Sequence, residues 1–190
     1  MGTHANCGHG GYGRQSGAAA VEFALVAMMF FTLLFGIVEM GRFMYLYNTV
    51  QEVTRRAARE AVVSWTDQIG TIQRNAVFQG GTTGTVTLPA GMEVSNTRVN
   101  IRYLNLDRDE ISGSDLPDSP ADNINACTDQ ADNCIAYVQA EICEQTEHGE
   151  EHGDCTPVTY QPMVGLFSYF GVDIPFSRVV MPAESMGYVP

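Results

Sequence analysis

The sequence predicts an α+β fold in which a long N-terminal helix packs on a small ectodomain with a largely antiparallel sheet. Three observations lead to this prediction. Residues 18–38 form an apolar run of 21 residues in which Glu22 is the one ionisable side chain. Apolar residues then recur at helical spacing as far as residue 61. Short segments with alternating apolar side chains follow, without the repeating strand-helix-strand order of a parallel sheet.

The first half of the helix is predicted to span a membrane. At a rise of about 1.5 Å per residue, residues 18–38 cover the roughly 30 Å hydrocarbon core of a bilayer. An ordinary signal anchor is the alternative interpretation of this run. The second half is predicted to be amphipathic, so that the helix covers residues 18–64 and packs on its own domain through one apolar face. That face comprises Val50, Val53, Ala57 and Ala61. We therefore expect a chain that begins near Thr49 to keep its core.

The remaining elements are predicted from local patterns. A short second helix is expected over residues 65–78, before a glycine-rich break at 80–84. Turn-forming residues predict a long loop over 107–133. Apolar and β-branched residues predict strands at 85–88, 99–103, 138–142 and 172–176. Residues 65–190 are expected to form one domain of ordinary size.

The charge balance excludes one class of function. Ten arginines stand against 22 acidic residues and the chain has no lysine, which gives a formal net charge of -12. An ectodomain this acidic is not expected to bind nucleic acid or an anionic membrane surface.

Glu22 is costly where it lies, because a carboxylate near the membrane interface costs up to a few kcal/mol unless it finds a partner. Gly17 lies five residues before it. If a peptidase cuts between Gly17 and Ala18, the new α-amino group lies about one helical turn from Glu22, or beside Glu22 of a neighbouring subunit. The motif is thus a glycine, four uncharged residues and then Glu22 and Phe23.

This motif resembles the prepilin peptidase site of the Flp/Tad pilus branch. Other segments resemble TadE-like minor pilins or pseudopilins of the Flp/Tad pilus assembly system. They are residues 18–26, 35–42, 48–52 and 55–61 and, near the C-terminus, 160–167 and 174–177. The resemblance implies that residues 1–17 are a leader, removed between Gly17 and Ala18 by a prepilin peptidase. It also implies that Glu22 and Phe23 serve assembly.

The resemblance further implies a location, partners and a function. The mature chain would lie in the inner membrane as a single-pass protein with a pilin-like ectodomain in the periplasm, and would enter an extracellular pilus. Its implied partners are the prepilin peptidase, other pilins and pseudopilins, the inner-membrane assembly platform and membrane lipid. The implied function is assembly or initiation of a pilus used for surface adhesion. The arginines give a contrary signal for topology, because Arg14 alone precedes the apolar run while Arg42, Arg55, Arg56 and Arg59 follow it.

The cysteine count agrees with the proposed leader. Loss of residues 1–17 removes Cys7 and leaves nine arginines against 22 acids, a formal charge of -13. The remaining even set of cysteines is suited to two disulfides in an oxidising compartment. The set is Cys127, Cys134, Cys143 and Cys155. Three connectivities are possible, and the two short spacings favour the local pairs.

Two other functions are compatible with the sequence. One is a membrane-anchored binding or adhesin domain, at a pilus tip, that uses the acidic middle of the chain. The other is a metal-binding ectodomain enzyme, since His148 and His152 have zinc-ligand spacing between Cys143 and Cys155. Gly149 disfavours the helix that would place both histidines on one face. We expect no enzyme and no cofactor, because the sequence has no nucleophile elbow, phosphate-binding glycine loop or metalloprotease motif.

Overall fold

Helix α1 (Ser16–Ala61) is the longest element, and the short antiparallel strands that follow it confirm the α+β prediction. The computed structural model describes residues 16–81, 83–144, 155–165, 171–184 and 186–187. The chain divides into two compact units, of which one ends at Glu39 and the other begins at Met40.

The part of α1 that belongs to the first unit is apolar on every side. It is rich in alanine, leucine and methionine, which favour helix, and it contains no proline. Its large side chains are exposed, with Phe23 at 76% and Ile37 at 74% of full exposure. A helix that is apolar all round is typical of a membrane span.

The part of α1 that belongs to the second unit buries one stripe of side chains, as predicted. The stripe consists of Leu46, Val50, Val53, Ala57 and Ala61, none of which is more than 1% exposed. Its three- and four-residue spacing keeps these side chains on one face of the helix. They share a single hydrophobic core with residues of the sheet such as Val99 and Val138.

The position of Leu46 corrects one expectation. Leu46 is fully buried in the core. A chain that begins near Thr49 lacks this side chain, so the expectation that it keeps its core is wrong. The second compact unit begins at Met40, which is the appropriate start for a soluble version.

Of the shorter helices, those between residues 66 and 76 were predicted from the sequence, and the one that begins at Pro120 was not. A 3-10 helix (Thr66–Gln68) and helix α2 (Ile69–Ala76) occupy the segment predicted to be helical. Helix α3 (Pro120–Thr128) lies inside the predicted loop, so the loop prediction is wrong there. Ser119 caps α3, because its Oγ accepts a hydrogen bond from the backbone N–H of Asp122 at 3.2 Å. Proline is favoured in the first turn of a helix. Ser119, Pro120 and Asp122 therefore formed a sequence signal for the start of α3.

The strands form two antiparallel sheets. Strands β1 (Thr87–Leu88) and β2 (Gly91–Ser95) form the two-stranded sheet. Strands β3 (Val99–Leu104), β4 (Tyr137–Ile142) and β5 (Arg178–Pro182) form the other, in the order β3-β4-β5. The register pairs Ile101 with Ala140 and Ala140 with Val179, so these side chains lie on the face that contacts the core.

The predicted strand at 172–176 is wrong. In the part of the chain that the structure describes, this segment contributes only an isolated bridge between Asp173 and Thr159. Pro175 has no backbone N–H to donate to a ladder, which disfavours a paired strand at this place. The last strand is β5, immediately after it. Strand β2 was also missed, because Gly91 and Glu93 interrupt the pattern of β-forming residues.

The sheet face opposite the core buries a carboxylate. Glu141 on β4 is fully buried. Its Oε1 lies 3.1 Å from Arg102 Nε, and its Oε2 lies 2.9 Å from Arg178 Nε. Gln139 Nε2 donates a further hydrogen bond to Oε2 at 3.1 Å. Both oxygens therefore have charged partners, which a carboxylate removed from water requires.

We expect Gly91→Ala to lower the free energy of unfolding of a chain that begins at Met40 by about 1–3 kcal/mol. A Cβ at Gly91 would collide with Leu46 Cδ2 and lie 3.1 Å from Leu88 Cδ2, so the packed core must shift. Gly80→Ala is the matched control, because a Cβ there meets no atom within 4 Å. Urea denaturation of the two variants measures the difference, and equal midpoints would contradict the tight contact.

Candidate functional site

The first two turns of α1 carry the four residues that the sequence assigns to processing and assembly. Gly17, Ala18, Glu22 and Phe23 are all exposed. Ala18 and Glu22 are four residues apart, which places them on the same face of the helix. A Cβ at Gly17 would meet no atom within 4 Å. Glu22 makes no hydrogen bond or ion pair with another residue of the part that the structure describes.

Beyond these residues α1 presents a long apolar surface. Among the described residues, one helix is long and apolar enough to cross a membrane, and it is α1. The most hydrophobic stretch of 18 residues in this helix has no buried residue. Apolar surface of this extent needs lipid or partner helices to cover it. The site therefore combines an apolar helix surface with a carboxylate that has no partner in the described part of the chain.

Where α1 enters the second unit, Arg42 forms a buried ion pair. Its Nη2 lies 2.5 Å from Glu93 Oε1 and 2.7 Å from Glu93 Oε2. The Arg42 side chain is 11% exposed and the Glu93 side chain 1%. The Arg42 Nε donates to the carbonyl of Ala90 at 3.1 Å. These bonds tie the hairpin formed by β1 and β2 to the helix.

The same guanidinium also binds the C-terminal segment, which here means the described residues between 155 and 187. Arg42 Nη1 donates to the carbonyl of Gln161 at 2.8 Å, and its Cζ lies 5.0 Å from the ring centroid of Tyr160. The backbone N–H of Gln161 donates to Glu93 Oε1 at 3.1 Å. Arg42 and residues 160–161 come from the two ends of the chain that carry the sequence resemblance. The structure places them in contact.

A second contact joins the same two regions. The hydroxyls of Thr54 on α1 and Ser177 lie 2.8 Å apart. Both residues are buried, and the Thr54 hydroxyl also lies 3.0 Å from the carbonyl oxygen of Gln51, so the contact gives the Ser177 hydroxyl a partner on α1. The C-terminal segment is therefore fixed to α1 at two points along the helix.

The exposed face of α1 carries a pair of arginines in the second unit. Arg55 and Arg59 are four residues apart and exposed, so they lie on one side of the helix. Neither forms an ion pair within the described ranges. Arg56 differs from them, because its Cζ lies over the ring of Phe78 at 5.1 Å.

The structure contains two disulfides, with the local pairing that the sequence favours. Cys127 is joined to Cys134 across a sequence separation of 7, and Cys143 to Cys155 across a separation of 12. The first closes the segment that follows α3. The second joins the end of β4 to the segment before Val158.

The proposed metal ligands receive no support from this arrangement. His148 and His152 lie outside the described residues. Glu141, Cys143 and Cys155 lie close together. However, the two sulfurs are bonded to each other and the carboxylate is held by arginines. A zinc site at this position would need thiolates that the disulfide does not provide.

The acidic middle of the chain lines an open cavity of about 710 Å³. Its walls come from Asn105, residues 110–112, residues 114–118, Asp122 and residues 132–133. Several of its polar groups already bond one another. The Asn105 side chain accepts from the backbone N–H groups of Asp107 and Asp109, each at 2.9 Å.

A smaller cavity of about 180 Å³ lies beside it and is lined in part by Tyr103. Tyr103 is 3% exposed, and its hydroxyl has no hydrogen-bond partner among the residues that the structure describes. Burial, with a smaller contribution from the charge of Asp67, raises the pKa of Tyr103 to about 12. Loss of this proton inside the fold is therefore unfavourable.

An apolar helix that could span a membrane and that leads into a small α+β unit is consistent with a membrane-anchored protein. A family model described as TadE-like protein matches residues 17–59. The match confirms the resemblance to the TadE-like family and begins at Gly17, one residue after α1 begins. It indicates a Tad pilus-associated protein. No curated protein and no solved structure matches the chain.

The sequence indicated two of the segments that meet at Arg42 but not the segment that contains Glu93. Arg42 and residues 160–161 lie in the segments that resemble the family, but Glu93 does not. No local signal distinguishes Glu93 from the other acidic residues, because its partner is 51 residues away. Glu141 was missed for a related reason. Its place among alternating residues of β4 predicts a solvent-exposed side chain, whereas two arginines make its burial possible.

We expect Arg42→Leu to lower the free energy of unfolding of a chain that begins at Met40 by about 3–5 kcal/mol, because it leaves the Glu93 carboxylate buried without its partner. Arg42→Leu combined with Glu93→Leu is expected to cost less than Arg42→Leu alone. Arg55→Leu is the control, since this exposed arginine forms no ion pair within the described ranges. Urea denaturation of the four chains tests the pair. A double variant as unstable as Arg42→Leu would show that the loss does not come from the unpaired carboxylate.

The raised pKa of Tyr103 predicts alkaline destabilisation. The unfolded chain releases the tyrosine proton near pH 10 and the folded chain near pH 12. The stability that the protonated Tyr103 contributes is therefore fully present below pH 10 and is lost as the pH rises to 12. The expected decrease in the free energy of unfolding is roughly 3 kcal/mol. Tyr103→Phe should show a smaller decrease over this range, whereas Tyr137→Phe should behave as the parent chain. Denaturant unfolding at several pH values measures the effect, and parallel curves for parent and Tyr103→Phe would refute it.

Proposed function

We propose that this chain is a minor pilin or pseudopilin that assembles or initiates a Flp/Tad pilus used for surface adhesion. One observation carries the proposal. The TadE-like match starts one residue after α1 begins, and Glu22 in the exposed apolar part of this helix has no partner among the described residues. In the proposal, a prepilin peptidase removes residues 1–17. The mature chain then lies in the cytoplasmic membrane with its ectodomain in the periplasm.

The carboxylate of Glu22 provides a physical reason why removal of the leader would favour assembly. Glu22 lies at the edge of the apolar run, where an unpaired charge costs up to a few kcal/mol. Cleavage before Ala18 creates an α-amino group within about one helical turn. An ion pair with this amine, in the same chain or in a neighbouring subunit, lowers the cost of placing Glu22 among apolar helices. Assembly then becomes favourable only for processed chains.

The apolar surface of α1 supplies the main assembly contact in this proposal. Its side chains are covered by lipid before assembly and by the helices of other pilins afterwards. The ectodomains contribute little attraction between identical copies, because the mature chain carries a formal charge of -13. The exposed pair Arg55 and Arg59 is the exception, since it offers positive charge to acidic residues of another pilin or of the inner-membrane platform.

The described buried charges favour a structural role over catalysis. Arg42, Glu93 and Glu141 are each held by several fixed partners, and these contacts join segments of the fold. Catalytic acids and bases are instead positioned where a substrate can reach them. The disulfides between Cys127 and Cys134 and between Cys143 and Cys155 suit a domain exposed to an oxidising periplasm.

One experiment tests processing and the role of Glu22 together. The full chain is expressed with its prepilin peptidase and pilus platform, and intact mass and N-terminal sequencing are measured on membrane-extracted protein. We expect the mature chain to begin at Ala18. A mature chain that retains Arg14 would contradict the proposal.

In the same experiment Glu22→Ala should be cleaved normally but incorporated into pili or pilin complexes on the order of tenfold less, which corresponds to a loss of about 1.4 kcal/mol of pairing energy. Glu52→Ala is the matched control, because Glu52 is an exposed carboxylate on the same helix outside the apolar run. Normal incorporation of Glu22→Ala would rule out the charge pairing while leaving the cleavage result intact.

A further inference from the structure

Arg55 and Arg59 are the two arginines that have no partner in the described part of the chain. Of the other described arginines, four form ion pairs, two lie over aromatic rings and one donates to a backbone carbonyl. Arg55 and Arg59 are exposed and one turn apart, and like charges at this spacing destabilise a helix. Glu52 lies three residues before Arg55 but forms no ion pair with it in the described ranges. The arginine pair becomes favourable when another molecule places negative charge opposite it.

The open cavity of about 710 Å³ offers negative charge of this kind. Its lining contains five carboxylates and no arginine, and we refer to it as the acidic cavity. The carboxylates belong to Glu110, Asp115, Asp118, Asp122 and Asp132. Glu110 pairs with Arg102, and serine hydroxyls donate to two of the others. Asp118 and Asp132 are exposed and have no partner among the residues that the structure describes.

The arginine pair and the acidic cavity belong to the same compact unit, the pair on α1 and the cavity on residues between β3 and β4 in the chain. Within one chain they form no ion pair among the described residues. A contact between them would therefore join two copies, and each copy would use a different surface from its partner. Contacts of this kind repeat from copy to copy and give a ring or an open filament.

We propose that Arg55 and Arg59 of one copy bind in the acidic cavity of the next copy, opposite Asp118 and Asp132. The inference rests on the proposed role in a pilus, and it names both the partner of the exposed arginines and the surface that receives them. Exposed ion pairs are individually weak, and two copies of this acidic chain repel each other. The contact therefore forms where the apolar part of α1 already holds copies side by side, because their effective concentration is then high. Its role is to set the register between ectodomains.

Photocrosslinking of the full chain in cells tests this contact. The chain is expressed with its prepilin peptidase and pilus platform, and it carries p-benzoylphenylalanine in place of Val63. Val63 is uncharged, 47% exposed and four residues from Arg59, so the probe leaves both arginines in place. We expect a product of two chains in which the crosslinked peptide of the second copy lies within residues 105–133. A crosslink to another protein or to α1 of the second copy, or the lack of any crosslink, would overturn the proposal.

Charge reversal shows whether the arginines and the cavity make the contact. Arg55→Glu with Arg59→Glu should reduce the product on the order of tenfold, as expected for the loss of two exposed ion pairs. Asp118→Arg with Asp132→Arg should reduce it to a similar extent. When the two reversed chains are expressed together, opposite charges again face each other and the product should return. Asp129→Arg is the control, because Asp129 is an exposed aspartate that does not line the cavity.

The mixture of reversed chains keeps the test independent of damage to the fold, because a misfolded chain would not recover the product. Equal product from reversed and parent chains, or no recovery in the mixture, would refute the contact. N-terminal sequencing of the same samples reports on processing separately. A chain that retains Arg14 contradicts the proposed function. A chain that begins at Ala18 but crosslinks equally after charge reversal contradicts this contact alone.

Discussion

The ion pair between Arg42 and Glu93 is the constraint on which the arrangement of the second unit depends. It joins α1, the hairpin of β1 and β2, and the C-terminal segment, which are separated by 51 and 119 residues along the chain. Removing two charges from water costs several kcal/mol for each ion, and their attraction offsets this cost only with good geometry and additional hydrogen bonds. Arg42 meets this condition through Ala90 and Gln161. An apolar pair could supply equal stability, but it would not fix three segments in one register.

The elements that the sequence predicts correctly are those whose signal is local. The amphipathic half of α1 follows from side chains repeated at helical spacing. Strands β3 and β4 follow from alternation, and the disulfide pairs follow from short spacing. Helix α3 was missed because its signal is a cap of three residues around Ser119, inside a segment rich in turn-forming residues. The strand predicted at 172–176 is wrong although these residues alternate well, because Pro175 lacks a donor that pairing needs, and strand β5 was not predicted.

The same distinction between local and long-range signals applies to the candidate site. Gly17, Ala18, Glu22 and Phe23 could be proposed from sequence because the predicted processing signal is a short continuous motif. The partners of Arg42 could not, because they are brought together only by the packing of the hairpin and the C-terminal segment on α1. The resemblance of residues 35–42 and 160–167 to one family marked both regions without indicating that they meet. The family match covers residues 17–59, and Arg42 joins that matched part to residues 160–161.

Helix α1 must satisfy two environments, and its sequence changes where the environments change. Up to Val38 every face is apolar, which suits lipid or neighbouring helices but offers no unique side for a domain to pack against. After Met40 one face becomes buried in the core and the opposite face becomes polar, which suits a helix half covered by its own domain. Between them, Arg42 is a charge that neither environment accepts alone. Glu93 neutralises this charge, so the ion pair can be buried in the domain although Arg42 is only four residues from the end of the apolar run. The carboxylate of Glu22 has no such partner in the described chain, so nothing in the described fold offsets the cost of a charge at the edge of the apolar run.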